Sequence, residues 1–253
     1  MRMLAPLVLV VAAFNAAPAQ AGQVYSAPTM VVTTVVTEDM AGDGGAERFV
    51  SAPVAMAEGK AIAAYGPFRV LDASHAALVG ATDGASPGQF ARMMQDYPSL
   101  ATLEMLECPG TMDDAANLKL GRMIRQAGLA TSVPNGGSVR SGGVELFLAG
   151  RTREVADGAE FAVHAWEDED GRQASDFPAG APQNAKYLAY YREMGMSAAQ
   201  ARAFYAMTNS VPFERARWLT GKDMRKWSDA ELPPALPAAE PRLAYLDLDL
   251  ALN

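Results

Sequence analysis

The chain is poor in the residues that build metal centres and disulfide frameworks. It contains one cysteine, Cys108, and two histidines, His75 and His164. A single cysteine excludes an intramolecular disulfide, and the sequence offers no cluster of cysteine and histidine for zinc. We therefore expect no metal and no cofactor. Cys108 is either a catalytic thiol or a small buried residue at a strand end, and we favour the second interpretation.

Basic residues are also scarce. The chain has 21 lysines and arginines against 29 aspartates and glutamates, and its net charge is -8. Nucleic acids and anionic membrane surfaces attract clustered basic side chains, and this sequence has no such cluster. We expect neither as a partner.

Long apolar runs are missing except near the start of the chain. There, Arg2 precedes an apolar run at residues 4–14, and Ala19-Gln20-Ala21 follows. An apolar run too short to span a bilayer, followed by small residues, predicts a signal peptide at 1–21 that is cleaved after Ala21. The mature protein is then expected in the periplasm or secreted, without membrane association.

The remaining sequence divides into three parts. We expect an N-terminal extension at 22–60, one domain at 61–227 and a tail rich in proline and alanine at 228–253. Near the end of the tail, leucines at 246, 248, 250 and 252 alternate with Asp247 and Asp249. This period of two predicts a half-buried strand that pairs with a sheet edge or with another subunit.

The central domain alternates short apolar segments with helical ones, which predicts an α/β architecture. Strands are expected at 76–80, 102–106, 130–133, 154–156 and 161–166, and helices at 87–97, 112–126, 184–194 and 197–208. A further helix is expected between Ser141 and about Gly150.

The segment 138–164 contains the candidate catalytic residues. A glycine-rich turn bearing Ser141 runs into the apolar segment VELFLAG, and His164 follows in FAVHAW. A hydroxyl at a helix start and an imidazole on a nearby strand are the first two requirements of nucleophilic hydrolysis. The alternatives are that Ser141 is a helix N-cap and that His164 is a structural histidine of the core.

The order of these motifs resembles the Clp peptidase and crotonase superfamily over about residues 61–227. A strand ends in Glu107-Cys108-Pro109-Gly110 where the family has Ser-Pro-Gly-Gly, and His164 lies 23 residues after Ser141. The resemblance implies a fold built as a spiral of ββα units and a homo-oligomer. It also implies that Ser141 is the nucleophile, that His164 is the general base and that the N–H groups of Gly110 and Gly142 form the oxyanion hole.

Two positions depart from that family pattern. Thr111 replaces the second glycine, which narrows the oxyanion loop, and Ala216 stands where the peptidases have the acid that orients the histidine. Another group then orients His164, or the protein works as a dyad, or it has no activity. The candidates for a third member are Asp176, Asp168 and Asn209.

Glu145 is unusual because it lies four residues after Ser141 in an otherwise apolar segment. This spacing places both side chains on one helix face, where Glu145 could polarise the site or bind a substrate amine. The alternative, which we favour, is an exposed position on the helix.

Three functions fit these observations. The first is a periplasmic serine hydrolase, a Clp-like peptidase that acts on a peptide or a small ester or amide through an acyl-enzyme. The second is a catalytically inactive binding or scaffold protein with the same fold. The third is an acyl-CoA enzyme, which export disfavours because coenzyme A belongs to the cytoplasm.

Overall fold

The fold was analysed in a computed structural model that describes residues 52–234. The expected signal peptide, most of the N-terminal extension and the alternating leucines of the tail lie outside these residues. The helices are α1 (Ala52–Lys60), α2 (Ser86–Asp96), α3 (Asp114–Ala127), α4 (Gly143–Leu148), α5 (Pro182–Glu193), α6 (Ala198–Thr208) and α7 (Gly221–Ser228). The strands are β1 (Ala63–Tyr65), β2 (Phe68–Val70), β3 (His75–Val79), β4 (Thr102–Cys108), β5 (Ala130–Val133), β6 (Ser138–Arg140), β7 (Arg153–Val155), β8 (Glu160–Val163) and β9 (Arg217–Thr220).

The strands of the described region form one mixed sheet. Its main path has the order β1-β2-β3-β4-β6-β8-β9. The pairs β3/β4, β4/β6 and β6/β8 are parallel, whereas the strands at the two ends pair in antiparallel fashion. Parallel neighbours require crossover connections, and the helices supply them.

Besides β3 on one edge, strand β4 pairs with two different strands along its other edge. Its first half bonds to β5, and its last two residues bond to β6. Strand β5 continues to β7, and β6 continues to β8. Strands β5 and β6 followed by helix α4 form one ββα unit, and β7 and β8 begin the next. The expected α/β class and spiral are confirmed.

Helix α3 shows why the elements begin and end where they do. Asp113 caps its start by accepting a hydrogen bond from the N–H of Ala116, and Gly128 ends it in the left-handed conformation at φ 74°. Leu120 and Ile124 on one face are buried in the core. Carboxylates at the start, an apolar stripe and a terminal glycine are the sequence signals of a helix, so this one was predictable.

Other elements differ from the sequence-based expectation. The sequence predicts a glycine-rich turn at the start of segment 138–164, but residues 138–140 form β6, which is buried between β4 and β8. Strand β8 ends at Val163, so His164 lies one residue beyond the strand and not on it. The last residues of the expected extension form α1, whose Val54 and Ala57 pack with Leu106 of β4.

The helices of residues 52–234 are all too short or too polar to cross a membrane.

Candidate active site

Three parallel strands deliver the expected site residues to one edge of the sheet. Gly110, Ser141 and His164 follow the carboxyl ends of β4, β6 and β8, which are consecutive neighbours. In open α/β sheets, ligands bind at the carboxyl ends of the strands. Because neighbouring strands lie about 4.8 Å apart, this order brings the three residues close together.

Ser141 forms the sharp turn between β6 and α4. Its φ is 47°, its N–H donates to the carbonyl of Ala162 at 2.9 Å, and its carbonyl accepts from Val144 at 2.9 Å. A non-glycine residue at positive φ costs roughly 1 to 2 kcal/mol, so the surrounding hydrogen bonds must hold it there. Such strain is concentrated at functional sites.

The side chain of Ser141 does not cap the helix. Helix α4 begins at Gly143 with Gly142 as its N-cap, and no side chain caps it. Within residues 52–234, the Ser141 hydroxyl makes no hydrogen bond, and Ser141 is half-buried. The N-cap alternative is therefore wrong, and the hydroxyl remains available.

Two glycine backbones lie beside this hydroxyl. A Cβ added to Gly110, whose φ is 138°, would lie 3.0 Å from the Cβ and 3.3 Å from the Oγ of Ser141. A Cβ added to Gly142 would lie 2.6 Å from Cγ2 of Thr111, which places the threonine methyl against the loop. Neither glycine N–H donates to an acceptor among the described residues. Two free backbone donors thus flank the serine.

His164 has one ring nitrogen bonded and the other free. Nδ1 lies 2.8 Å from the carbonyl oxygen of Ala165, and because a carbonyl only accepts, Nδ1 carries the hydrogen. Nε2 is then the basic nitrogen, and within residues 52–234 it is buried without a hydrogen-bond partner. The residue is 9% exposed, and the ring of Phe213 packs edge-on against it at 4.9 Å. A hydrogen bond between Nε2 and Ser141 is not formed in this state.

The three candidates for a third member are hydrogen-bonded to groups other than His164. Asp176 accepts from the N–H of Gln173 at 2.7 Å, Asp168 accepts from Arg172, and the amide nitrogen of Asn209 donates to Tyr205. The structure does not join any of them to His164 within the described region. A backbone carbonyl orients the imidazole instead, and sequence reasoning about side chains gives no signal for it.

Ala216 lies just before β9. The last pair of the antiparallel ladder between β8 and β9 joins Val163 to Arg217, so His164 and Ala216 each lie one residue beyond it. Ala216 offers a methyl group and no carboxylate to the histidine that follows β8.

Glu145 is buried, so the expectation of an exposed helix position is wrong. It is 9% exposed, and its Oε1 accepts a hydrogen bond from Tyr191 at 2.7 Å. Tyr190 donates to its backbone carbonyl at 2.6 Å. Burial raises the pKa of Glu145 to about 7, against the lowering effect of the hydrogen bond from Tyr191. The carboxyl contacts α5, which local sequence spacing does not reveal.

A buried ion pair holds the strand that leads to Ser141. Nη1 of Arg140 donates to Oε1 of Glu107 at 2.5 Å and to the hydroxyl of Ser138 at 3.0 Å. Arg140 and Glu107 are both buried, on β6 and β4. Local sequence spacing gives no signal for this pair, because the two charges are 33 positions apart.

The single cysteine belongs to the core. Cys108 is fully buried, its Sγ lies 3.7 Å from the carbonyl of Leu78, and burial raises the pKa of its thiol. A protonated, inaccessible thiol is not a nucleophile. Among residues 52–234, no three histidine, cysteine or acidic side chains are grouped to hold a metal ion.

The comparisons with known proteins give structural similarity only. No protein-family model and no curated protein matches the chain. The chain is similar to a mutant of the 1510-N membrane-bound stomatin-specific protease in complex with a substrate peptide, with 18% identity, a TM-score of 0.43 and coverage of 60% of this chain and 72% of the other. A second mutant of that protease gives 17% identity, a TM-score of 0.43 and coverages of 63% and 76%. A mutant of ClpP1 from Listeria monocytogenes gives 16% identity and a TM-score of 0.46, with coverage of 64% of this chain and 92% of the other.

The motif order suggested the Clp peptidases, and a Clp peptidase is among these similar structures.

Proposed function

We propose that the protein is a serine hydrolase that cleaves a peptide or a small ester or amide through an acyl-enzyme. The observation that carries this proposal is the pair of unpaired N–H groups of Gly110 and Gly142 beside the Ser141 hydroxyl. Backbone donors fixed in place stabilise the negative charge that develops on a carbonyl oxygen under attack.

In the proposed reaction, Nε2 of His164 takes the proton of the Ser141 hydroxyl as Oγ bonds to the substrate carbonyl carbon. The carbonyl oxygen becomes an oxyanion held by Gly110 and Gly142. As the tetrahedral intermediate collapses, Nε2 returns the proton to the leaving amine or alkoxide, and the acyl-enzyme remains. Water then attacks the ester with His164 again as the base, and the acid product and the free serine are released.

A fluorophosphonate probe tests this function directly, because it phosphonylates an activated serine. The wild type is expected to be labelled between pH 6 and 9, and Ser141→Ala is expected to lose the label. Ser74→Ala is a matched control, since Ser74 lies 3.0 Å from Nδ1 of His75 and 2.9 Å from Asp72, the other serine, histidine and acid group described. Labelling that survives in Ser141→Ala, or that is absent in the wild type, would contradict the proposal.

We also propose that the protein is exported. The support is the apolar run at 4–14 followed by Ala19-Gln20-Ala21 in the sequence. Expression of the full chain in a bacterium, cell fractionation and N-terminal sequencing test this proposal. A cytoplasmic product that retains Met1 would contradict it, whereas a periplasmic or secreted product that begins at Gly22 would support it.

Assembly into a homo-oligomer stays a prediction for the mature protein.

A binding or scaffold protein is the second candidate function. Two observations favour it: Ala216 has no acid to offer His164, and an open groove of about 490 Å³ lies along β9 and α7. Trp218 and Trp227 line this groove, together with Arg217, Leu219, Asp223 and Lys226. Absence of fluorophosphonate labelling in a folded wild type would favour this function over hydrolysis.

A further inference from the structure

A buried chain of hydrogen bonds joins the two glycines of the proposed oxyanion hole. The N–H of Thr82 donates to the carbonyl of Gly110 at 3.0 Å. The hydroxyl of Thr82 donates to Oδ1 of Asn117 at 2.9 Å, and Nδ2 of Asn117 donates to the carbonyl of Gly142 at 2.7 Å. Thr82, through its N–H and its hydroxyl, and Asn117, through its side chain, therefore connect one glycine to the other.

Both side chains are almost completely enclosed. Thr82 is 1% exposed and Asn117 is 2% exposed. Asn117 is a polar residue on α3, beside the buried Leu118 and Leu120. A buried amide is unfavourable unless its oxygen and its nitrogen are both hydrogen-bonded. Here the oxygen faces a hydroxyl donor and the nitrogen faces a carbonyl acceptor. A leucine at 117 could fill a similar volume, but it could not hold the Gly142 carbonyl.

The two glycines need such support because a glycine backbone is conformationally flexible. Gly110 has φ 138°, a conformation that other residues rarely adopt, and Gly142 is followed by a second glycine. Glycine backbones lose more conformational freedom on ordering than any other residue. Oxyanion donors act only when they are held at the position that the charged oxygen will occupy. Hydrogen bonds from the buried residues Thr82 and Asn117 supply that fixation.

We propose that Thr82 and Asn117 are positioning residues, which hold the carbonyls of Gly110 and Gly142 and thereby restrict the backbone of each glycine so that the two N–H groups stay beside Ser141. The proposal rests on the proposed hydrolase function. Neither residue touches the substrate: Thr82 acts through the Gly110 carbonyl and through Asn117, and Asn117 acts through the Gly142 carbonyl. Their loss changes the rate of the bond-forming step and leaves ground-state binding of the substrate nearly unchanged.

The test uses Thr82→Val in the full chain, because valine keeps the shape and removes the hydroxyl. The maximal rate of phosphonylation of Ser141 is expected to fall roughly 10- to 100-fold, while the concentration for half-maximal rate stays within about twofold. Thr82→Ser restores the hydroxyl and is expected to restore most of the rate. Asn117→Leu removes the bond to Gly142 and is expected to lower the rate in the same way, which keeps the proposal testable if Thr82→Val does not fold.

Thr131→Val is the matched control. Thr131 is equally buried, and its hydroxyl donates to the carbonyl of Phe147 at 2.7 Å, at the far end of α4. It is expected to lose thermal stability like Thr82→Val but to keep the labelling rate.

The outcomes separate the two proposals. A labelled wild type together with unchanged rates in Thr82→Val and Asn117→Leu overturns the positioning role alone. A rate in Thr131→Val that falls as far as in Thr82→Val also overturns it, because the effect is then general destabilisation. A folded wild type that is never labelled overturns the proposed function, and the positioning role with it.

Discussion

Nδ1 of His164 donates a hydrogen bond to the backbone carbonyl oxygen of Ala165, its own neighbour, at 2.8 Å. This bond selects the tautomer with a free Nε2, which is the task of the acid in a catalytic triad. A neutral carbonyl holds the ring, but it stabilises the imidazolium less than a carboxylate does. Under the proposed function, hydrolysis is therefore expected to be slow.

His164→Ala is expected to lower fluorophosphonate labelling of Ser141 by roughly 10² to 10⁴-fold, because general-base assistance is worth that much. The second-order labelling rate measures this effect. His75→Ala removes the other histidine, which lies half-buried next to Asp72, and is expected to label like the wild type. Equal rates for His164→Ala and the wild type would remove His164 from the mechanism.

Ala216→Asp is expected to raise the labelling rate by roughly 10-fold or more, because positions 216 and 164 each lie one residue beyond the last pair of the β8 and β9 ladder, Val163 with Arg217. A carboxylate there can accept the Nδ1 hydrogen and stabilise the charged ring. Ala216→Asn supplies the same size without the charge and is the control. If both variants label no faster than the wild type, position 216 does not reach the imidazole.

Ser141→Gly is expected to be more stable than Ser141→Ala by about 1 kcal/mol, because only glycine adopts φ 47° without strain. Both variants lack the hydroxyl, so the comparison isolates the backbone. Urea unfolding of the two proteins gives the difference. Equal stability, or a more stable alanine variant, would show that the turn is not strained at this residue.

Glu145 is expected to make stability depend on pH. Its folded pKa of about 7 lies above the usual 4.5, so the folded state binds more protons than the unfolded state between these values. Stability therefore falls as the pH rises from about 4.5 to about 7, by roughly 3 kcal/mol, and changes no further above that range. Glu145→Gln keeps an acceptor for Tyr191 and removes this contribution.

Urea unfolding at pH 5 and pH 8 measures this dependence. The difference in free energy of unfolding between the two values is expected to be smaller in Glu145→Gln than in the wild type. An unchanged difference would mean that Glu145 is ionised in the folded protein.

Arg140→Ala is expected to cost about 3 to 5 kcal/mol of stability, because it leaves the Glu107 carboxylate buried without the arginine. The double variant Arg140→Met with Glu107→Leu removes both charges and is expected to recover most of that loss. Denaturant unfolding of the variants measures both effects. A double variant as unstable as Arg140→Ala would show that the charge pair itself stabilises the fold.

Local patterns predicted the parts of the fold that depend on local interactions. Helix α3 has its cap, its stripe and its stop within one segment, and β5 is a buried run bounded by turns, so both were found. Strand β6 was missed because glycines surround three residues that only β4 and β8 make into a strand. Strand β9 and α7 were missed because their pairing with β8 and their packing on the core are tertiary.

The candidate site divides in the same way. Motif order predicts Ser141, His164 and the two glycines as site residues, since their spacing follows the strands that carry them, and their catalytic role stays a prediction. The burial of Glu145 depends on tyrosines 45 and 46 positions away. The carbonyl that accepts from His164 belongs to the backbone of Ala165, so the residue type at position 165 does not predict this hydrogen bond. Thr82 and Asn117 act through contacts 35 positions apart.

Strand β4 is the only part of the described sheet that bonds to both β5 and β6. If β4 separates from its neighbours, both groups of strands lose a partner in the same event. Amide protons of β5 and β6 should then exchange with deuterated solvent with the same opening free energy, although the two strands do not pair with each other. The segment that ends in Ser141 is therefore expected to open together with β4.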